Sequence, residues 1–207
     1  MDVAGAILAG GAASRFGGAA KGLAHVGGTP ILARLREAFR TALGREPVLI
    51  ANAPDAGTWA PGLSLHSDII PGLGALGGIL TAVRMAPAPV VVVAWDMPFV
   101  PAGLIRELAD RLRDGDAVLA DAVLPESEGP RGLEPLCAAY GPAVAPAIDR
   151  ALARGDRRAV AFHDDVVLRR MPLAQVARHG PPARSFFNVN TPEDLERAEE
   201  LWRASSQ

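Results

Sequence analysis

Apolar residues fall along this chain in two patterns, short unbroken runs and longer stretches at helical spacing, with glycine and proline between them. A run that is apolar at successive positions fits a strand covered on both faces, as in a parallel sheet. The run 3–8, with Val3, Ala4, Ala6, Ile7 and Leu8, predicts the first such strand, 47–51 a second and 63–66 another. The run 90–94 sets four β-branched residues in a row ahead of Ala94 and predicts a central strand. Further strands are predicted at 116–120, 133–140 and 166–168, the first two joined by the polar, proline-rich stretch 125–132. Helical spacing appears in 30–43, where Ile31, Leu32, Leu35, Phe39 and Leu43 form a stripe, Thr29 is the expected N-cap, Pro30 sits in the first turn and Gly44 ends the helix. Leu76, Ile79, Leu80 and Val83 form a second stripe within 75–85, and 101–112 and 142–153 read as helices, with another opening at 155–158. A last helix begins at Pro192, with Thr191 as N-cap and Asp194 at the capping-box position, and runs to about 203. Strands alternating with helices predict one α/β domain over 1–207, a mostly parallel sheet flanked by helices.

Composition narrows the classes. With 49% hydrophobic and 21% charged residues over 207 positions, the chain has what one sizeable core needs and is not a disordered sequence. A formal net charge of -2 supplies no basic excess, so no nucleic-acid partner and no anionic membrane surface is expected. The apolar runs break well before the roughly 20 residues of a membrane span, and no charged-then-apolar leader opens the chain, so the expected location is the cytoplasm. The single cysteine, Cys137, excludes an intramolecular disulfide framework and a cysteine-only zinc site. Set in an apolar run, it reads as a buried structural thiol. His163, Asp164 and Asp165 read as a polar turn rather than a metal site.

The candidate chemistry starts after the first strand. The loop that follows carries Gly10, Gly11, Gly17 and Gly18 with Ser14, Arg15 and Lys21. Its backbone can approach a ligand closely while two cations and free N–H groups face it, chemistry suited to a phosphate ester. It is not a P-loop, because Lys21 is followed by Gly22 with no hydroxyl for a metal, and the spacing of a dinucleotide fingerprint is absent. The structural alternative is a tight strand-to-helix turn with incidental Lys and Arg. In open α/β sheets ligands lie at the carboxyl ends of strands. Asn52 ends the second predicted strand and is either a nucleotide contact or a turn asparagine before Pro54. Asp96 ends the valine strand, where a carboxylate is well placed to hold Mg²⁺ against phosphate oxygens, or else caps a helix. Arg157 and Arg158 either clamp a phosphate of a second substrate or form a solvated face.

These segments resemble one family. Leu8-Ala9-Gly10-Gly11, Ser14-Arg15-Phe16-Gly17-Gly18 and Lys21 are similar to the nucleotide-binding signature of the molybdenum cofactor guanylyltransferases, with Ala20 standing where the family has an acidic residue. PGLGALGGILTA at 71–82, WDMPF at 95–99, PLCAAY at 135–140, the segment 155–162 and FFNVNTPEDL at 186–195 are similar to later family motifs, in the family's order. The resemblance implies a three-layer Rossmann-like fold of the nucleotide-diphospho-sugar transferase type. It implies transfer of GMP from GTP to the phosphate of Mo-molybdopterin, with release of pyrophosphate and Mg²⁺ as cofactor. The implied nucleotide contacts are Leu8, Ala9, Gly10, Gly11, Lys21, Asn52, Asp68, Gly77 and Asp96. Lys21, Arg15 and Asp96 are the implied catalytic residues, and Asp96 with Asn190 the implied metal ligands. An acceptor pocket is expected near Glu134 and Pro135, beneath a lip formed by the hairpin. Other proteins of molybdenum cofactor biosynthesis, or chaperones of apo-molybdoenzymes, are the implied protein partners. The alternatives are a cytidylyltransferase or sugar-phosphate nucleotidylyltransferase on the same fold, or a nucleotide-binding regulator without catalysis; LAGG rather than LAAG favours guanine by family pattern.

Overall fold

A computed structural model describes residues 2–10, 21–86, 88–113, 120–130 and 132–205. Arg15, Gly11 and Ala20 lie outside the described residues, as does most of the strand expected at 116–120. The strands are β1 (Ala4–Ala9), β2 (His25–Val26), β3 (Thr29–Pro30), β4 (Val48–Ala51), β5 (Leu65–His66), β6 (Val90–Ala94), β7 (Ala122–Pro125), β8 (Cys137–Tyr140) and β9 (Leu168–Met171). The helices are α1 (Ile31–Leu43), α2 (Gly74–Met85), α3 (Ala102–Arg113), α4 (Val144–Ala153), α5 (Leu173–Val176), α6 (Pro182–Ser185) and α7 (Pro192–Ala204).

Among the described residues, seven strands form one sheet in the order β5-β4-β1-β6-β8-β7-β9, and β2 pairs with β3 in a separate ribbon. The valine strand β6 is the middle one. Its neighbour β1 pairs with it and with β4 in parallel, Ile7 lying opposite Val93 on one side and Leu49 on the other. β8 runs antiparallel to both β6 and β7, and β9 pairs in parallel with β7. The sheet is therefore mostly parallel, and its central strands read as continuous apolar runs because helices cover both faces.

Alternation along those strands divides the core in two. Ile7, Val91, Val93, Cys137 and Ala139 pack with α1 and α3 through Leu35, Phe39, Leu104 and Leu108. Ala6, Leu8, Val90, Val92 and Tyr140 pack with α2 and α4 through Leu76, Ile79, Leu80, Val144 and Ile148. Three layers follow directly from the period of two in the strands and 3.6 in the helices. The Cys137 thiol is buried and its pKa raised by desolvation, which suits a structural role.

Local differences from the expected elements have local causes. Thr29 and Pro30 belong to the small ribbon instead of opening a helix; α1 starts at Ile31, with Pro30 in an extended conformation as the cap residue and no side-chain cap bond. Gly44 does end α1, in the left-handed conformation at φ 69°. The described strand in the 120s is Ala122–Pro125, a run that the proline at its end hides from a sequence reading. It forms the expected hairpin with β8, extended by a bridge between Glu126 and Leu133. No helix opens at 155–158, because Asp156 accepts from the backbone N–H and guanidinium of Arg158 and folds the chain into a turn. β9 lies further along than 166–168, since Asp121 ties down Val167 N–H and the ladder with β7 begins at Leu168. At α7 the capping box is complete: Thr191 Oγ1 accepts from Asp194 N–H, and the Asp194 carboxylate accepts from Thr191 N–H.

Candidate nucleotide site

The carboxyl ends of β1, β4 and β6 open onto a cavity of about 260 Å³. Leu8, Ala9, Gly10, Lys21, Asn52, Asp68, Asp96 and Asn190 all line it, although they come from widely separated parts of the chain. Backbone bonds place them. Trp95 N–H donates to Leu8 C=O at 3.1 Å, joining the ends of β1 and β6 just before Asp96. Val189 N–H donates to Asp96 C=O at 2.8 Å, which draws the segment carrying Asn190 over the same rim. The Asp194 carboxylate also accepts from Asn190 N–H, so the α7 cap fixes that segment.

Lys21 is 7% exposed and lies in a short 3-10 turn at 21–23. Its Nζ donates to Asn190 Oδ1 at 2.8 Å and stands 4.0 Å from Asp96 Oδ2, beyond hydrogen-bond reach. An ammonium has three donors, and only one of these is engaged by a described residue. Asp96 is mostly buried; burial pushes its carboxyl pKa up, and the nearby Lys21 charge offsets this only in part. Its Oδ1 is buried without a hydrogen-bond partner among the described residues. A buried carboxylate oxygen with no partner is costly unless a cation or donor arrives with the ligand.

Asn52 and Asp68 meet in another part of the cavity wall. Asn52 Nδ2 donates to Asp68 Oδ2 at 2.7 Å, and Asp68 N–H donates to Asn52 Oδ1 at 2.8 Å. Asn52 is thus committed to holding Asp68 in place and also lines the cavity; its side chain bonds across 16 positions and closes no local turn. The entrance of α2 contributes Gly74, Ala75 and Gly78. Gly77, singled out from the second glycine cluster, is not among the lining residues; a Cβ there would meet Leu73 Cβ at 3.0 Å, Ile70 C=O at 3.4 Å and Asp68 Oδ2 at 3.6 Å, so it lies behind the wall that Asp68 forms. Gly78 faces the cavity next to Leu8 instead. The helical period decides which glycine faces inward, and the glycine cluster alone does not reveal its phase.

Ile50, Ala94, Trp95 and Leu136 also line the cavity and were not named as site residues from sequence. Leu136 adjoins the Glu134–Pro135 stretch where an acceptor pocket was expected, and Trp95 lies inside the quoted WDMPF motif, so weak signals existed for both. The stacking of Trp95 on Trp59, with centroids 4.9 Å apart and planes at 22°, had no sequence signal. Arg158 is exposed and turned back on Asp156, the solvated alternative for that pair.

A cluster of at least three His, Cys, Asp or Glu side chains able to hold a metal is absent among the described residues. Mg²⁺ commonly binds through one or two carboxylates and completes its shell with phosphate oxygens and water. The unpartnered Asp96 Oδ1 is the protein donor such an ion would need, and Asn190 Oδ1 is the adjacent neutral acceptor.

Comparison with known proteins points to one family. The family described as MobA-like NTP transferase domain matches residues 5–167. A molybdenum cofactor guanylyltransferase from Desulfosudis oleivorans is 31% identical over 99% of this chain and 98% of its own length. The chain belongs to the molybdenum cofactor guanylyltransferase family. It is a nucleotidyltransferase by that membership. Another guanylyltransferase of the family, from Serratia proteamaculans, is 34% identical over 95% of this chain and 93% of its own. Among solved structures, molybdopterin-guanine dinucleotide biosynthesis protein A from Archaeoglobus fulgidus matches with TM-score 0.79 and 26% identity, covering 99% of this chain and all of that one. The 2-C-methyl-D-erythritol 4-phosphate cytidylyltransferase of Thermus thermophilus, at 20% identity and TM-score 0.65, shares the fold. Among the described residues no helix is long and apolar enough to cross a membrane.

Proposed function

We propose that this guanylyltransferase-family protein moves GMP from GTP onto the terminal phosphate of molybdopterin carrying molybdenum and releases pyrophosphate. The observation that supports the reading best is the convergence of Lys21, Asn190 and Asp96 on one rim of the cavity, with two ammonium donors left for a ligand and one carboxylate oxygen left for a cation among the described residues. In the reaction an oxygen of the acceptor phosphate forms a bond to the α-phosphorus of GTP, and the bond from that phosphorus to the bridging oxygen of the β-phosphate breaks. The electron pair leaves with pyrophosphate. The attacking phosphate is already ionised at neutral pH, so the protein needs no general base. Its contribution is alignment and charge neutralisation.

Lys21, steadied by Asn190, supplies positive charge where negative charge builds on the transferring and leaving phosphates. Arg15, which precedes Lys21 in the sequence, is assigned the same task. Asp96 would hold Mg²⁺, which when bound supplies Lewis-acid neutralisation of the phosphates. At the other end of the cavity the Asp68 carboxylate, oriented by Asn52, offers an acceptor edge that suits the adjacent N1–H and amino donors of guanine. Gly10 and Gly74 leave room beside them: a Cβ at either would meet nothing within 4 Å among the described residues.

Thermal unfolding with Mg²⁺ and each of GTP, CTP, ATP and UTP tests the nucleotide. A ligand at about 100 times its Kd adds roughly 2.7 kcal/mol of stability, a readable shift in Tm. GTP is expected to stabilise most; preferential stabilisation by CTP would replace GMP transfer by CMP transfer. Pyrophosphate release that depends on added molybdopterin then tests the acceptor, and binding of GTP without turnover would favour the regulator instead.

A further inference from the structure

A second cavity, about 320 Å³, lies apart from the first, and no described residue lines both. Its wall carries Arg34 from α1, Arg184 from α6, His179, and the aromatic rings of Phe99 and Trp202. Arg34 lies over the Trp202 ring at 3.9 Å, and Arg184 over the Phe99 ring at 4.7 Å. A guanidinium held over a ring in this way keeps N–H donors at its edge.

The two guanidiniums are close enough to act on each other: burial lowers the Arg34 pKa, the Glu199 carboxylate opposes that, and the Arg184 charge lowers it further. Arg34 donates through Nε and Nη2 to Val26 C=O. The Arg184 guanidinium makes no hydrogen bond and no ion pair with a described residue, and its Nε is buried without a partner. Among the described residues no carboxylate lines the cavity. Glu199 accepts from Gly27 N–H at 2.7 Å and lies 3.8 Å from Arg203, and Glu107 is engaged by Arg111 and His179. Two like charges lining one hollow, with no described acid in its wall, mark a site short of an anion.

We propose that this second cavity binds a phosphate-class oxyanion, inorganic phosphate or pyrophosphate, between Arg34 and Arg184. A carboxylate has two oxygens in one plane and satisfies one fork; a tetrahedral phosphoryl group can present separate oxygens to two guanidiniums arriving from different helices. The inference does not depend on which nucleotide the first cavity takes.

The test is calorimetric titration of phosphate, pyrophosphate and acetate into the full chain without nucleotide or metal, at fixed ionic strength. It is repeated with Arg184→Gln and Lys21→Ala, each checked for folding by thermal unfolding. Saturable binding of phosphate or pyrophosphate is expected in the parent and in Lys21→Ala, weakened about tenfold or more in Arg184→Gln, with no competition from acetate. The tighter of the two anions identifies the ligand. Arg184→Lys, which keeps the charge but loses the fork, should weaken binding also, and it serves if the glutamine variant does not fold. Absence of binding in the parent would overturn the proposal, as would binding that survives Arg184→Gln and is lost in Lys21→Ala, which places the anion in the first cavity.

Discussion

Replacing Gly22 by alanine would set a methyl carbon 2.4 Å from Cε3 and 2.9 Å from Cδ2 of Trp95. The indole has little room to retreat, being 5% exposed and stacked on Trp59. Overpacking of this kind costs about 1–3 kcal/mol, while the stiffer alanine backbone in the unfolded chain returns roughly 0.4–1 kcal/mol. A net loss on the order of 1–2 kcal/mol is expected, entirely steric because Gly22 has no positive φ to forfeit. The same displacement moves Lys21 next door, so turnover should fall more than stability alone explains. Urea unfolding followed by tryptophan fluorescence measures the first effect, and pyrophosphate release at saturating nucleotide the second. Trp95→Leu opens the space, and a double-mutant cycle should show Gly22→Ala nearly harmless in that background. A cost equal in both backgrounds, or stability unchanged within about 0.5 kcal/mol, would refute the claim that the Lys21 turn rests on the Trp95 ring.

Other consequences are open to direct measurement. Lys21→Ala should lower the rate of nucleotidyl transfer by orders of magnitude with the fold intact; a loss below about tenfold, ~1.4 kcal/mol, would show that its charge is not aimed at the transition state. Burial holds the Asp96 carboxyl above the usual aspartate range, so the folded chain keeps this proton to higher pH than the unfolded chain does. Native stability therefore drops as pH rises from the ordinary aspartate pKa through the raised one. Asp96→Asn should remove that slope, leaving a protein without activity that is more stable than the parent near neutrality and no more stable in acid; an unchanged pH profile of Tm would contradict it. Thr191→Ala removes one half of the α7 capping box and should cost about 1 kcal/mol in urea unfolding, with a fall in turnover because the same cap fixes Asn190.

Much of the three-layer architecture was legible because its signals are local and periodic. Val90–Ala94 is apolar at every position, and only a strand covered on both faces tolerates that, so its central place is readable from those five residues alone. The stripes of α1 and α2 and the Thr191–Asp194 cap are likewise contained in a few consecutive residues. Elements failed to be legible where a distant contact decided them: Asp121 and the ladder with β7 set the start of β9, and pairing with β2 drew Thr29 and Pro30 into a ribbon.

Lys21 and Asp96, which line the candidate cavity, were readable as candidates because each belongs to a short distinctive stretch of chain, one after the first strand and one at the end of the valine run. Tertiary structure alone decided their geometry. Lys21 reaches Asn190 across 169 positions, Asn52 holds Asp68, and Gly78 rather than Gly77 faces the ligand space. Hydrophobic periodicity fixes which side of a strand or helix is buried, but relative placement of two side chains far apart in sequence depends on sheet order, loop paths and packing distances that no local window contains. The same reason hides the cavity that Arg34 and Arg184 share, since they come from two helices far apart in the sequence.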